Sequence, residues 1–114
     1  MKFINNPFDT VIQAVKELYP DTQALIQFNP DLRGEKYGEC GCTTFPDNPN
    51  DPIIVDISTN IPFNAMIEIL AHELAHVVVR LNEEDDHGER WQEVFEAIYR
   101  KYNELVDLAE QEYV

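Results

Sequence analysis

Apolar side chains recur at Phe8, Val11, Ile12, Val15 and Leu18, behind Asn6-Pro7 and ahead of Tyr19-Pro20. A capping Asn, a Pro at the first helical position and spacings of three and four predict an amphipathic helix that ends at the second proline. The short run from Ala24 to Phe28 lies between Pro20-Asp21 and Asn29-Pro30, turn formers that bound a strand. Two further extended stretches are expected from about Lys36 to Phe45 and from Pro52 to Ile57. Between them lies the Pro- and Asn-rich linker 46–50. Together these runs predict a small three-stranded sheet.

From Asn60-Ile61-Pro62 to about Leu81 the positions Phe63, Met66, Ile67, Leu70, Leu74, Val77, Val78 and Leu81 fit a helix. Further apolar residues occupy its other faces, so this helix belongs in the middle of a domain. The polar stretch 82–86 interrupts it. Asp86-His87-Gly88-Glu89 then has the form of a capping box opening a last helix, with Trp91, Val94, Phe95, Ile98, Tyr102, Leu105 and Ala109 as its buried stripe. The pattern predicts an α+β fold, an N-terminal helix and a small mixed sheet packed on two long C-terminal helices.

Length and charge narrow the picture. The 114 residues suit one compact domain spanning 1–114, and 44% hydrophobic content is globular in character. No apolar run approaches the roughly 20 residues of a membrane span, and the N-terminus breaks into Asn and Pro before a signal core can form, so a cytoplasmic location is expected. The net charge of −14 repels polyanions, which argues against strong nucleic-acid binding. Cys40 and Cys42 are two residues apart, where a disulfide would be strained, and are read as reduced thiols on one face of a strand.

One segment carries chemistry. His72-Glu73-Leu74-Ala75-His76 is an H-E-x-x-H motif inside the expected central helix. Residues four apart project from one helical face about 6 Å apart along the axis, so two imidazoles can converge on one Zn²⁺. Glu73 is offset from the line joining them, beside the ion, where it can act as general base toward an activated water. Burying His, Glu and His on an apolar helix costs several kcal/mol unless something satisfies them, and a metal does so.

A tetrahedral site needs a third protein ligand. His87, eleven residues after His76 and beyond a polar loop, is one candidate; Glu93 or Glu96 of the last helix is the other. Imidazole is the better zinc ligand, which favours His87. The stretch after His76 lacks the glycine and third histidine of a metzincin. Tyr37, Tyr99 and Tyr102 are candidate oxyanion donors, among which the sequence does not choose.

His72-Glu73-Leu74-Ala75-His76 followed by His87-Gly88-Glu89-Arg90-Trp91 resembles the SprT-like and WLM minimal zincins, across Glu68 to Trp91. The resemblance implies a zinc metalloendopeptidase acting on protein or peptide substrates, with His72, His76 and His87 as ligands and Glu73 as base. It further implies that Trp91 packs behind the third ligand, that Gly88 allows close backbone approach, and that Ile53 to Ile57 lines the substrate cleft. Members that act on DNA-linked proteins usually have basic surfaces or an added zinc-binding or DNA-binding module, neither of which is expected of this acidic chain, so DNA-linked substrates are not expected. Two other readings stay open: a zinc-binding regulatory domain or pseudoenzyme, and an ImmA/IrrE-like repressor-cleaving peptidase with a glutamate as third ligand.

Overall fold

A computed structural model describes residues 6–81 and 88–111, with side chains through Leu108. Helix α1 spans Pro7–Leu18, strand β1 Leu25–Asn29, strand β2 Gly41–Thr44, strand β3 Ile54–Ser58, helix α2 Phe63–Leu81 and helix α3 Glu89–Gln111. The fold is α+β, as the periodicities predict. The acidic stretch 83–86, including the expected cap Asp86, and His87 lie outside the described residues, as does the side chain of Ala109.

Helix α1 begins where Asn6 accepts a hydrogen bond from the Phe8 amide at 2.9 Å, with Pro7 at its first position. An exposed backbone donor is thereby satisfied at the point where proline's missing N–H costs nothing. Its buried face is Thr10, Val11, Ala14 and Val15. The expected stripe is thus rotated toward smaller residues, leaving Ile12 half-buried and Leu18 exposed.

The sheet is mixed, with strand order β1-β3-β2. Strand β3 pairs parallel with β1, Ile26 against Val55, and antiparallel with β2, Thr43 against Val55. Val55 and Ile57 are fully buried and face the helices. The expected extended stretch from Lys36 is corrected in its first half. Glu35–Tyr37 form one turn of 3-10 helix between Gly34 and Gly38, whose φ angles are 102° and 69°. Glycine alone adopts these values freely. The Arg33 guanidinium grips the Glu39 carboxylate at 2.8 Å across this turn, and the strand starts only at Gly41.

Helix α2 buries nine residues over most of its circumference, packed between the sheet and the other two helices. Leu70, Val77 and Val78 join Val94 and Ile98 of α3 and Val11 of α1 in one core. At roughly 25 cal/mol per Å² of apolar surface, such positions hold the helix in a fixed rotation against the sheet. That rotation decides which α2 side chains face β2. Ser58, fully buried at the end of β3, donates to the Leu32 carbonyl at 2.7 Å and accepts from the Asn60 amide at 2.9 Å, fixing the approach to α2.

Candidate metal centre

His72 and His76 stand one turn apart on α2, with their Nε2 atoms 3.3 Å apart. Two nitrogens bound to zinc at 2.0–2.1 Å with tetrahedral angles are separated by about 3.3–3.4 Å, so the pair already has the spacing of two corners of such a site. Ligand atoms of His72, Glu73 and His76 all lie within 4.8 Å of one another. This is the only such metal-capable group among the described residues, and its two imidazoles and one carboxylate suit Zn²⁺.

The environment tunes both kinds of group toward this use. Burial holds the His72 imidazole below its ordinary 6.5, opposed by the nearby Glu68 carboxylate, and so favours the neutral form a metal needs. Burial pushes the Glu73 carboxyl above its ordinary 4.5, opposed by a hydrogen bond from Thr43. Glu73 is 8% exposed and is the one buried ionisable residue of α2. Raising a carboxyl by desolvation makes it a better proton acceptor once ionised.

Helix α3 packs an aromatic wall on the histidines. Trp91 stacks on His76 with centroids 5.2 Å apart, meets His72 edge-on at 4.7 Å, and reaches the His72 carbonyl with its Nε1 at 3.4 Å. Phe95 continues the wall, stacked on Trp91 at 5.4 Å. The resemblance placed Trp91 behind a third ligand; the structure places it against the two helical histidines themselves. Gly88 and Glu89 stand three and two residues before Trp91, so α3 begins within one turn of this contact. His87 itself lies outside the described residues.

The remaining candidates fall elsewhere. Glu93 is 65% exposed at its side chain and pairs with Arg90 at 3.4 Å, and Glu96 is exposed and accepts from Gln92 at 3.0 Å. Both occupy the solvent face of α3, opposite the Trp91 stripe. Tyr99 and Tyr102 sit roughly 12 and 16 Å further along α3 than Trp91, behind Phe95. Tyr37 is 52% exposed under the Arg33 guanidinium. Cys40 is partly buried, Cys42 is exposed, and both are free thiols.

Two residues that sequence reasoning did not single out touch the site. Thr43 of β2 donates through Oγ1 to Glu73 Oε2 at 3.3 Å. A Cβ on Gly41 would stand 2.6 Å from Ile69 Cγ2 and 3.2 Å from Glu73 Cγ, so glycine is what lets β2 approach α2 here. A glycine inside a strand pattern was the available signal of close approach. The strand beside Glu73 is thus β2, an edge strand. Ile54 to Ile57, within the stretch that the resemblance places along a substrate cleft, belong to the central strand β3, paired on both sides.

The sequence model of the SprT-like family matches residues 26–110, which include β1 from its second residue, β2, β3, the H-E-x-x-H helix and nearly all of α3. No curated protein and no solved structure matches the chain. Among the described residues, no helix is long and apolar enough to cross a membrane.

Proposed function

The chain belongs to the SprT-like family, and from that premise we propose that it is a zinc-dependent metalloendopeptidase that cuts protein or peptide substrates in the cytoplasm, working as one domain. The observation that carries this reading is the convergence of the His72 and His76 Nε2 atoms beside the buried Glu73 carboxylate on one helix. A purely structural zinc site has no use for a desolvated carboxylate next to its ligands.

In this reading His72, His76 and His87 hold the ion. His87 precedes Gly88 at the start of α3, and the packing of Trp91 on both histidines brings that end of α3 to the pair. The zinc supplies Lewis-acid activation of water and of the scissile carbonyl. Glu73 takes the proton from the attacking water and hands it to the leaving amine. Thr43 and the Gly41 backbone bound the carboxylate on the strand side, and the Trp91 indole shields the imidazoles on the other. The outer edge of β2 offers backbone donors and acceptors on which an extended peptide can pair as an added strand beside Glu73. The net charge of −14 turns the domain away from nucleic acid as a partner. A glutamate third ligand of the ImmA/IrrE kind is disfavoured by the outward positions of Glu93 and Glu96.

Zinc analysis of the dialysed protein tests the site first, and degradation of an unfolded substrate such as β-casein tests the chemistry. The wild type is expected to carry about one zinc per chain. His72→Ala, His76→Ala and His87→Ala lose it, and Glu73→Gln keeps zinc but loses cleavage. Zinc absent from the reconstituted wild type would overturn the reading. Retention by His87→Ala would remove that residue from the ligand set, and a zinc-loaded Glu73→Gln protein that still cleaves would remove Glu73 as base.

A further inference from the structure

We propose that Thr43 is a positioning residue for Glu73, and that β2 sets the orientation of the catalytic carboxylate through it. The inference rests on the reading of Glu73 as general base, and adds a residue from a different element thirty positions away.

Glu73 projects from α2 toward the sheet, where its Oε2 accepts a hydrogen bond from Thr43 Oγ1 at 3.3 Å. The other carboxylate oxygen stands against β2 at Gly41, where an added Cβ would be 3.3 Å from Oε1. Gly41 and Thr43 are two apart in one strand, so both present the same face to α2. One supplies clearance and the other a donor. A glutamate has three side-chain torsions, and an unanchored one spreads over several rotamers. Holding one oxygen by a hydroxyl selects among them, and leaves the second oxygen and the remaining lone pairs for proton transfer.

Strand β2 is well suited to hold this anchor. It is tied to β3 through Thr43 opposite Val55 and Gly41 opposite Ile57, and both partners are fully buried. The position of Thr43 is therefore set by the core. The Thr43 methyl also gives its χ1 fewer choices than a serine would have, which keeps the hydroxyl aimed. Since β2 is also the edge offered to a peptide, substrate and base are referenced to the same strand.

The test compares Thr43→Val, which keeps shape and removes the hydroxyl, with Thr43→Ser, which keeps the hydroxyl. In the metal-free protein with ¹³C-labelled glutamate, NMR side-chain couplings of Glu73 should report a single rotamer in the wild type and in Thr43→Ser, and averaging in Thr43→Val. In the zinc-loaded protein acting on β-casein, Thr43→Val should lower kcat about five- to tenfold, the scale of one lost hydrogen bond. KM, zinc content and Tm should stay near wild type, and Thr43→Ser should recover most of the rate. Unchanged Glu73 couplings in Thr43→Val would overturn the proposal, whether or not the protein proves to be a peptidase. Averaged couplings with an unchanged kcat would overturn it as well. A wild type that binds zinc and cleaves nothing would strike the general-base reading on which the proposal depends, while the couplings would still decide whether Thr43 holds the side chain.

Discussion

The indole of Trp91 lies over the imidazole of His76, with ring centroids 5.2 Å apart and planes 26° from parallel. Trp91 is the only tryptophan of the chain, so its emission reports on the metal-capable pair without labelling. Adding Co²⁺ to the metal-free protein is expected to quench Trp91 fluorescence, saturating near about one equivalent per chain. His76→Ala should abolish the saturable phase. A flat titration in a protein shown by elemental analysis to have taken up the ion would place the metal away from Trp91 and contradict the site.

The two histidines were legible because their relation is local: a spacing of four within an apolar helix needs no knowledge of the rest of the fold. The helices were legible for the same reason, since Leu70, Leu74, Val77 and Val94, Ile98 repeat with the helical period and are all buried. The contact of Thr43 with Glu73 was not legible. It depends on which strand lies at the sheet edge and on the register of β2 against β3, both set by packing between distant segments. The sequence pattern predicts the stretch from about Lys36 to Phe45 to be extended throughout. Left-handed Gly34 and Gly38 and the Arg33 to Glu39 ion pair fold it instead into a tight turn. The third ligand turns on His87, which lies outside the described residues.

The solvent face of α3 predicts a clean negative result. Glu93 and Glu96 engage Arg90 and Gln92 on their own helix and are exposed. Exposed pairs of this kind contribute about 0.2–1 kcal/mol. Glu93→Gln and Glu96→Gln should therefore retain full zinc and melt within a few degrees of wild type, by elemental analysis and thermal denaturation. Loss of zinc in either would bring a glutamate into the ligand set and restore the alternative of a His, His, Glu site.

Stability against pH should carry the imprint of Glu73. Burial raises its carboxyl above the ordinary 4.5 in the folded protein, so the folded state holds that proton to higher pH than the unfolded chain does. The associated stability is fully present below 4.5 and is lost as pH rises through the folded value. In the metal-free protein at neutral pH the burial of Glu73 therefore costs stability. Glu73→Gln should melt higher than wild type there, and the advantage should vanish as pH falls below the ordinary glutamate range. His72 works in the opposite sense. Its imidazole is held below 6.5, so stability falls as pH drops through that value, in wild type and variant alike. The difference between the two melting curves across pH isolates Glu73. A Glu73→Gln protein that melts lower at neutral pH would show that the ionised carboxylate is satisfied without metal.

The approach of β2 to α2 predicts a coupled pair of substitutions. A methyl group at position 41 would stand 2.6 Å from Ile69 Cγ2, a distance real Cβ atoms do not tolerate, and 3.3 Å from Glu73 Oε1. Ile69 can turn or β2 can lift, and either repacks a filled interface at about 1–3 kcal/mol. Gly41→Ala should lower Tm accordingly, by about 4 °C per kcal/mol for a domain of this size. Ile69→Ala removes the group that the new methyl strikes first. In that background the cost of Gly41→Ala should shrink by a large fraction, giving a non-additive double-mutant cycle, as expected for residues in direct contact. Strictly additive costs would mean that Gly41 and Ile69 do not meet, and that the strand carrying Thr43 stands farther from Glu73 than the hydrogen bond between them requires.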